Sequence, residues 1–357
     1  MSLSKYRKTI DQIDKQLVAL INERHEVARK IGENKRARKA PVFSAARENA
    51  VYERAVKNNS GPTLDRTIRG IYREIMSGAL ALEEDLKIAY LGPMGTFSYS
   101  AAMSKFGSSV SYLPCSTLED VSTSVDTKRT HYGLVPVENS LEGGINVTLD
   151  MLLDKDLKIV SEVYLRIRLA FLAKSKGKIS KVFSHPQPFA QCRRWLSANY
   201  PDAELHKCPS TVFAAKKAVR TKNSAAIAHE DTANLYNLNI LDKHIEDSSA
   251  NFTRFLVIAK DELNNATGHD KTSIIVFIHD KPGALHDMLS IFKKNRINLT
   301  RIESRPMKSR TWEYCFFIDF DGHYEDSKGR KALQDIEKKA FHVKLLGSYP
   351  KADTEGN

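Results

Sequence analysis

Apolar residues recur at helical spacing from the N-terminus: Ile10, Ile13, Leu17, Leu20, Val27 and Ile31 form one seam along a segment from Leu3 to Lys39. Pro41 stops it. Two more helical patterns follow, Arg47 to Lys57 and Leu64 to Glu84, divided by the turn signal Asn59-Ser60-Gly61-Pro62. Beyond Leu86 the pattern changes to short apolar strands alternating with helices, from Lys87–Leu91 to Phe252–Ala259, which predicts an α/β region. Leu263 to Asp270 has linker composition. After it, Ser273–Ile278, Leu285–Asn295, Ile297–Glu303, Tyr314–Phe320, Ser327–Lys339 and Val343–Leu346 read strand, helix, strand, strand, helix, strand. That order is the ferredoxin-like α+β arrangement. The expected chain is multidomain: all-α over 1–86, α/β over 87–262 and α+β over 271–350.

Composition narrows the partners. A chain of 357 residues with 41% hydrophobic content supports two or three ordinary cores. No apolar run approaches the roughly 20 residues of a membrane span, and Met1 to Ile10 lacks a secretory signal's apolar stretch. A cytoplasmic protein without a membrane partner is expected. Four cysteines, at 115, 192, 208 and 315, stand singly and predict reduced thiols, with no disulfide, metal or cofactor. The net charge of +12 admits nucleic acid, acidic membrane surfaces or small polyanions. The Lys35 to Lys39 run lacks interleaved aromatics and reads as a solvated helix end, and no nucleic-acid motif appears.

Arg24 interrupts the N-terminal seam, seven residues from both Leu17 and Ile31, where an unpaired charge is expensive. An internal salt bridge to Glu48 is one solution, and an anionic ligand shared with Arg7, Lys35 and Arg47 is the other. Arg24 and Lys35 are separated by about 16 Å of helix, within reach of one small molecule; Arg7 is about 42 Å from Lys35 and must come from a second chain if it takes part. An antiparallel homodimer would supply it and cover the seam. This segment resembles the all-helical chorismate mutase domain. The resemblance implies that Arg7 (from the second chain), Arg24 and Arg47 hold two carboxylates, that Lys35 donates to the breaking ether bond, and that Glu48 binds the substrate hydroxyl. Glu83 falls where that family has a second ether-oxygen donor, a role a glutamate fills only when protonated. Ser44 and Ala79 replace an acidic residue and a serine of the best-known members.

In the α/β region four motifs lie at apparent strand ends: Gly92-Pro93-Met94-Gly95-Thr96-Phe97-Ser98, Val135-Pro136-Val137-Glu138-Asn139-Ser140-Leu141-Glu142-Gly143, Ser184-His185-Pro186-Gln187-Pro188-Phe189-Ala190-Gln191-Cys192, and Asn251-Phe252-Thr253-Arg254-Phe255. The first can bind a carboxylate at a helix N-terminus. Helix caps account equally for Asn139 and Ser140, a packed core histidine for His185, and Cys192 shows no matched catalytic histidine. Together and in this order they resemble prephenate dehydratase. That resemblance implies two α/β lobes around a cleft, like a type 2 periplasmic binding protein. Thr253 would assist departure of the C4 hydroxyl as carbon dioxide leaves, with Thr96, Asn139, Ser140, Ser184 and Gln191 orienting substrate. Arg254 would pair with a carboxylate or buttress its strand. The competing class is a non-catalytic binding module.

Asp280-Lys281-Pro282-Gly283-Ala284-Leu285 turns into a helix, and Glu303-Ser304-Arg305-Pro306 ends the next strand. The pair resembles the ACT regulatory domain of phenylalanine-controlled dehydratases. It implies L-phenylalanine as effector, bound by Gly283, Ala284, Leu285, Glu303, Ser304, Arg305 and Pro306. The three resemblances together describe the bifunctional chorismate mutase/prephenate dehydratase family known as P-protein. Chorismate and prephenate are the implied substrates, in phenylalanine biosynthesis, and a homodimer or higher homo-oligomer the implied assembly.

Overall fold

In the computed structural model, which describes residues 3–38, 40–279, 281–306 and 314–352, the N-terminal part is three helices. Lys39 and Asp280 of the sequence motifs lie outside the described residues. α1 (Leu3–Ala37) runs for 35 residues, α2 (Ala45–Lys57) begins at Ser44, whose hydroxyl accepts from the Arg47 N–H at 3.3 Å, and α3 is Asp65–Glu83. Only the second half of α1 packs within the chain. Ala28 and Gly32 are buried, His25 Nε2 lies 2.9 Å from the Ile75 carbonyl, and a Cβ on Gly32 would sit 2.8 Å from the Glu83 side chain. The seam itself stays uncovered: Ile10, Ile13, Leu17, Leu20, Val27 and Ile31 are each at least 47% exposed.

The α/β part is built from β1 (Lys87–Leu91), α4 (Phe97–Phe106), β2 (Ser111–Cys115), α5 (Leu118–Asp126), β3 (Tyr132–Asn139), β4 (Gly143–Gly144), α6 (Asn146–Asp154) and β5 (Lys158–Arg166) in a first lobe. A second lobe holds β6 (Ala170–Ala173), β7 (Lys181–Ser184), α7 (Pro186–Gln191), α8 (Arg193–Asn199), β8 (Glu204–Lys207), α9 (Thr211–Arg220), β9 (Ser224–Ala228), α10 (Asp231–Tyr236) and β10 (Asn239–Lys243). The chain then returns as β11 (Phe252–Ala259), antiparallel between β3 and β5. The lobes are two sheets, β2-β1-β3-β11-β5 with β4 beside β3, and β10-β6-β9-β7-β8. β11, flanked by β3 and β5, has seven of its eight residues buried, and from Phe255 to Ala259 it reads as a continuous apolar run.

The last part comprises β12 (Asp270–Phe277), α11 (Ala284–Lys294), β13 (Leu299–Pro306), β14 (Tyr314–Asp321), α12 (Ser327–Glu337) and β15 (His342–Pro350), with sheet order β13-β14-β12-β15. Strand alternation gives the sheet two apolar faces. Ile274, Val276, Ile318 and Phe320 pack under the helices with Met288, Phe292 and Ile336. Ile275, Phe317 and Tyr349 instead join Ala89, Val121, Val135 and Leu256 of the first α/β lobe in one cluster. This shared core fixes the ferredoxin-like sheet against the back of the strands that carry the cleft residues. Among the described residues no helix is long and apolar enough to cross a membrane.

Candidate active sites and effector site

Between the two lobes lies a cavity of about 640 Å³. Register sets Thr253 on β11 opposite Asn139 on β3 at its wall. Asn139 Nδ2 donates to Thr253 Oγ1 at 2.9 Å and to Asn251 Oδ1 at 3.0 Å, while its Oδ1 accepts from the Leu141 and Glu142 N–H groups at 3.0 and 3.3 Å. Those two backbone donors fix which end of the amide is oxygen. Thr253 therefore receives a hydrogen bond, and among the described residues its own proton has no acceptor. A hydroxyl held in this way is a donor aimed at whatever occupies the cleft.

Among the described residues the cavity lining includes no lysine or arginine. The cleft offers helix N-termini and hydroxyls, the kind of carboxylate site expected of the Gly92–Ser98 motif. α4, α7 and α9 all start at its edge, with Thr96, His185 and Ser210 as N-caps accepting from the Tyr99, Gln187 and Phe213 N–H groups at 3.3, 3.3 and 3.1 Å. First-turn N–H groups lack intrahelical acceptors and carry the positive end of the helix dipole, so carboxylates are stabilised there. Ser98, Ser116 and Thr211 add hydroxyls. Ser116, Ser210 and Thr211 were not singled out from sequence, although a Ser-Thr pair opening a helix is a readable cap.

The expected substrate contacts divide. Thr96, Asn139, Gln191 and Thr253 line the cavity; Ser140, Ser184 and Arg254 do not. Ser140 Oγ donates to the Ala250 carbonyl at 2.8 Å and accepts from the Phe252 N–H at 2.9 Å, stapling the loop before β11. Ser184 is fully buried and donates to the Ile227 carbonyl at 2.8 Å. Arg254, one residue from Thr253, points through the opposite face of the sheet, which favours the buttress over the carboxylate partner. Burial, aided by Glu246 and Asp247, pushes the Cys192 thiol well above its usual range, so it stays protonated and inert.

In the helical part, Lys35 Nζ donates to Glu83 Oε2 at 3.0 Å and to the Val42 carbonyl at 2.6 Å, and Glu83 is 7% exposed. Arg24 is half-buried, and burial lowers its pKa despite the field of Tyr72; Arg47 and Glu83 are close enough to contribute as well. Arg7 and Arg47 are exposed. Glu48 does not bridge to Arg24: its Oε2 takes Lys105 Nζ of α4 at 2.5 Å, because α2 turns this face toward the α/β part. Ala79 is buried on α3, and Ser44 serves as the α2 cap.

A cavity of about 400 Å³ in the ferredoxin-like part is lined by Gly283, Ala284 and Leu285 together with Ile278, Tyr314 and Phe316. Gly283, with φ +81°, is the cap of α11 and opens the helix N-terminus to it. Of the second motif, Ser304 and Pro306 are exposed, whereas Arg305 pairs with Asp150 of α6 at 2.8 Å and Glu303 faces Arg301 at 3.4 Å.

Three helices carrying a group of cations around the half-buried Arg24, a two-lobed cleft and a ferredoxin-like sheet in one chain define a multidomain enzyme with two catalytic units and a small regulatory one. The chain matches the family models of chorismate mutase type II over residues 6–84, prephenate dehydratase over 88–263 and the ACT domain over 272–338. It is 46% identical to a bifunctional chorismate mutase/prephenate dehydratase of Aquifex aeolicus and 44% identical to that of Pseudomonas aeruginosa, each comparison covering 98% of both chains. A solved prephenate dehydratase of Arthrobacter aurescens, in complex with L-Phe, superposes with a TM-score of 0.71 at 32% identity, covering 76% of this chain and 92% of that one. The chain belongs to the bifunctional chorismate mutase/prephenate dehydratase family, and it carries both activities.

Proposed function

We propose the residue roles by which these two activities run in sequence. In the helical domain (1–86), Arg24 and Arg47 hold the carboxylates of chorismate together with Arg7 of a second chain, and Lys35 donates to the ether oxygen as its bond to carbon breaks. The rearrangement is pericyclic, so positioning and charge stabilisation suffice. In the cleft (87–262), the bond from ring carbon to carboxylate breaks, its electron pair completes the aromatic ring, and the C4 hydroxyl leaves. Thr253 donates a hydrogen bond to that departing oxygen, which takes up a proton to become water. The donation from Asn139 to Thr253 Oγ1 is the observation that carries this reading, since it occupies the oxygen as an acceptor and leaves its proton for donation into the cleft.

The regulatory domain (271–350) takes L-phenylalanine at Gly283, Ala284 and Leu285, supported by the cavity there and by the L-Phe complex of the Arthrobacter relative. The protein works as a homodimer or larger homo-oligomer. Support comes from the exposed α1 seam and from the distance of about 42 Å along the helix between Arg7 and Lys35. Four buried, unpaired cysteines fit a reducing cytoplasm.

Chorismate given alone to the purified protein tests the sequence of reactions. Phenylpyruvate is expected to form, and added L-phenylalanine to suppress it while prephenate accumulates. Prephenate as the sole product without effector would overturn the dehydratase assignment.

Glu83 is the second expected donor to the ether oxygen. Beside Lys35 its carboxylate is an acceptor, and a carboxylate cannot donate to that oxygen. Glu83→Gln, which supplies an amide donor at the same place, is therefore expected to raise mutase kcat/KM about tenfold. An unchanged kcat/KM in the variant removes Glu83 from the mechanism.

A further inference from the structure

Alternation gives β3 and β11 two faces, and adjacent residue pairs divide between them at the catalytic end. Thr253 is opposite Asn139, and Arg254 is opposite Glu138. The first pair makes the 2.9 Å hydrogen bond at the cleft. The second turns away, toward the ACT sheet. Arg254 is 4% exposed, and its guanidinium donates from Nε to Glu162 at 2.8 Å, from Nη1 to Asp319 at 2.5 Å and from Nη2 to the Tyr349 hydroxyl at 2.9 Å. Asp319 also accepts from Ser273 Oγ at 2.6 Å, and Ser273 and Tyr349 share a further 2.6 Å contact. Glu138 lies 3.5 Å from Arg301 Nε and 3.9 Å from Arg254 Nη1. Ser273, Arg301, Asp319 and Tyr349 come one from each of the four ACT strands. Both residues of the Thr253–Asn139 hydrogen bond thus have an immediate neighbour in contact with the ACT sheet, Arg254 through hydrogen bonds and Glu138 through an ion pair alone.

A planar guanidinium with each arm on a different buried acceptor has one orientation, and breaking such a network leaves an uncompensated buried charge. A rotation of the ACT sheet therefore moves Arg254, and β11 with it, sooner than it slides past. β13 adds a second grip. A Cβ on Gly144 would meet Glu303 at 2.8 Å, so this strand closes directly on the segment after Asn139, while its Ser304 and Pro306 remain exposed on the other side.

We propose that Arg254 and Glu138 form a clamp through the sheet by which the ACT domain sets the Thr253–Asn139 geometry, so that Arg254 is a positioning residue and the effector acts on dehydration by shifting this clamp. The regulatory half rests on the reading of L-phenylalanine as effector; the positioning half does not.

The test uses full-length Asp319→Asn, Tyr349→Phe and Arg301→Gln with prephenate, reading kcat, KM and the ratio of rates without and with L-phenylalanine. Mutase turnover of chorismate reports on the amount of folded chain. Asp319→Asn is expected to lower dehydratase kcat about tenfold with KM within about twofold. All three are expected to cut the inhibition ratio at least about threefold. A variant that had merely lost folded protein would keep the wild-type ratio. Wild-type ratios in all three variants would overturn the regulatory clamp, and an unchanged kcat in Asp319→Asn would overturn the positioning role. Should Asp319→Asn fail to fold, Tyr349→Phe decides, since it removes one hydrogen bond and keeps the ring: an unchanged kcat there overturns positioning. A wild-type enzyme indifferent to L-phenylalanine would refute the effector reading alone, leaving kcat to decide the clamp.

Discussion

Thr253→Val is expected to slow prephenate turnover by about 10³-fold, the size of effect seen when a single donor to developing negative charge is removed. Valine keeps the shape of threonine, so the β11 strand and its neighbours have no reason to move. The variant leaves Asn139 Nδ2 without one acceptor, but Asn251 Oδ1 still takes the amide at 3.0 Å, which limits the cost to about 1 kcal/mol of stability. What disappears is the proton proposed for the leaving hydroxyl. Thr253→Ser, which restores that proton on a freer side chain, is expected to recover activity to within about tenfold of wild type. Mutase turnover on the same chain should not change, so chorismate given to Thr253→Val yields accumulating prephenate. A valine variant within about tenfold of wild type on prephenate would show that the hydroxyl is not the donor and that aromatisation needs no help there.

Sequence patterning fixed the domain order here because each part has its own period. The α1 seam, the buried run Phe252–Ala259 and the strand-helix alternation after Asp270 each appear at or near their expected positions. The cleft was legible where residues end strands: Thr253 and Asn139 converge because β3 and β11 are neighbours with matching ends. What lies behind the strand was not legible. Alternation says that Arg254 faces away from Thr253, but only the tertiary fold reveals that the ACT sheet covers that side. Likewise Glu48 has a helical position compatible with the mutase site, and its partner Lys105 is 57 residues away on another domain. Pairings of that range leave no local pattern. Among the described residues the cleft lining has no lysine or arginine, so net charge says nothing about how this site holds an anion, since backbone dipoles do not appear in a composition.

The seam also carries a cost that function explains. Arg24 occupies a position where leucine would continue the apolar stripe, and burial already disfavours its charge. Arg24→Leu is therefore expected to hold or raise the melting temperature while lowering mutase turnover about 10³-fold through loss of a carboxylate clamp. Dehydratase turnover of added prephenate should remain. Arg7→Ala is expected to damage the same reaction from the far, exposed end of α1. If each site is assembled from two chains, these lesions are complementary. A heterodimer of one Arg7→Ala chain and one Arg24→Leu chain holds one site with both arginines and one site with neither. Random mixing at equal amounts makes half the dimers heterodimers, so about a quarter of all sites are intact and about a quarter of wild-type mutase activity should return. Exchange by co-expression or by dilution and reassembly provides the measurement. No recovery, with mixed dimers demonstrated, would place Arg7 outside the site and leave the α1 seam as an association surface only.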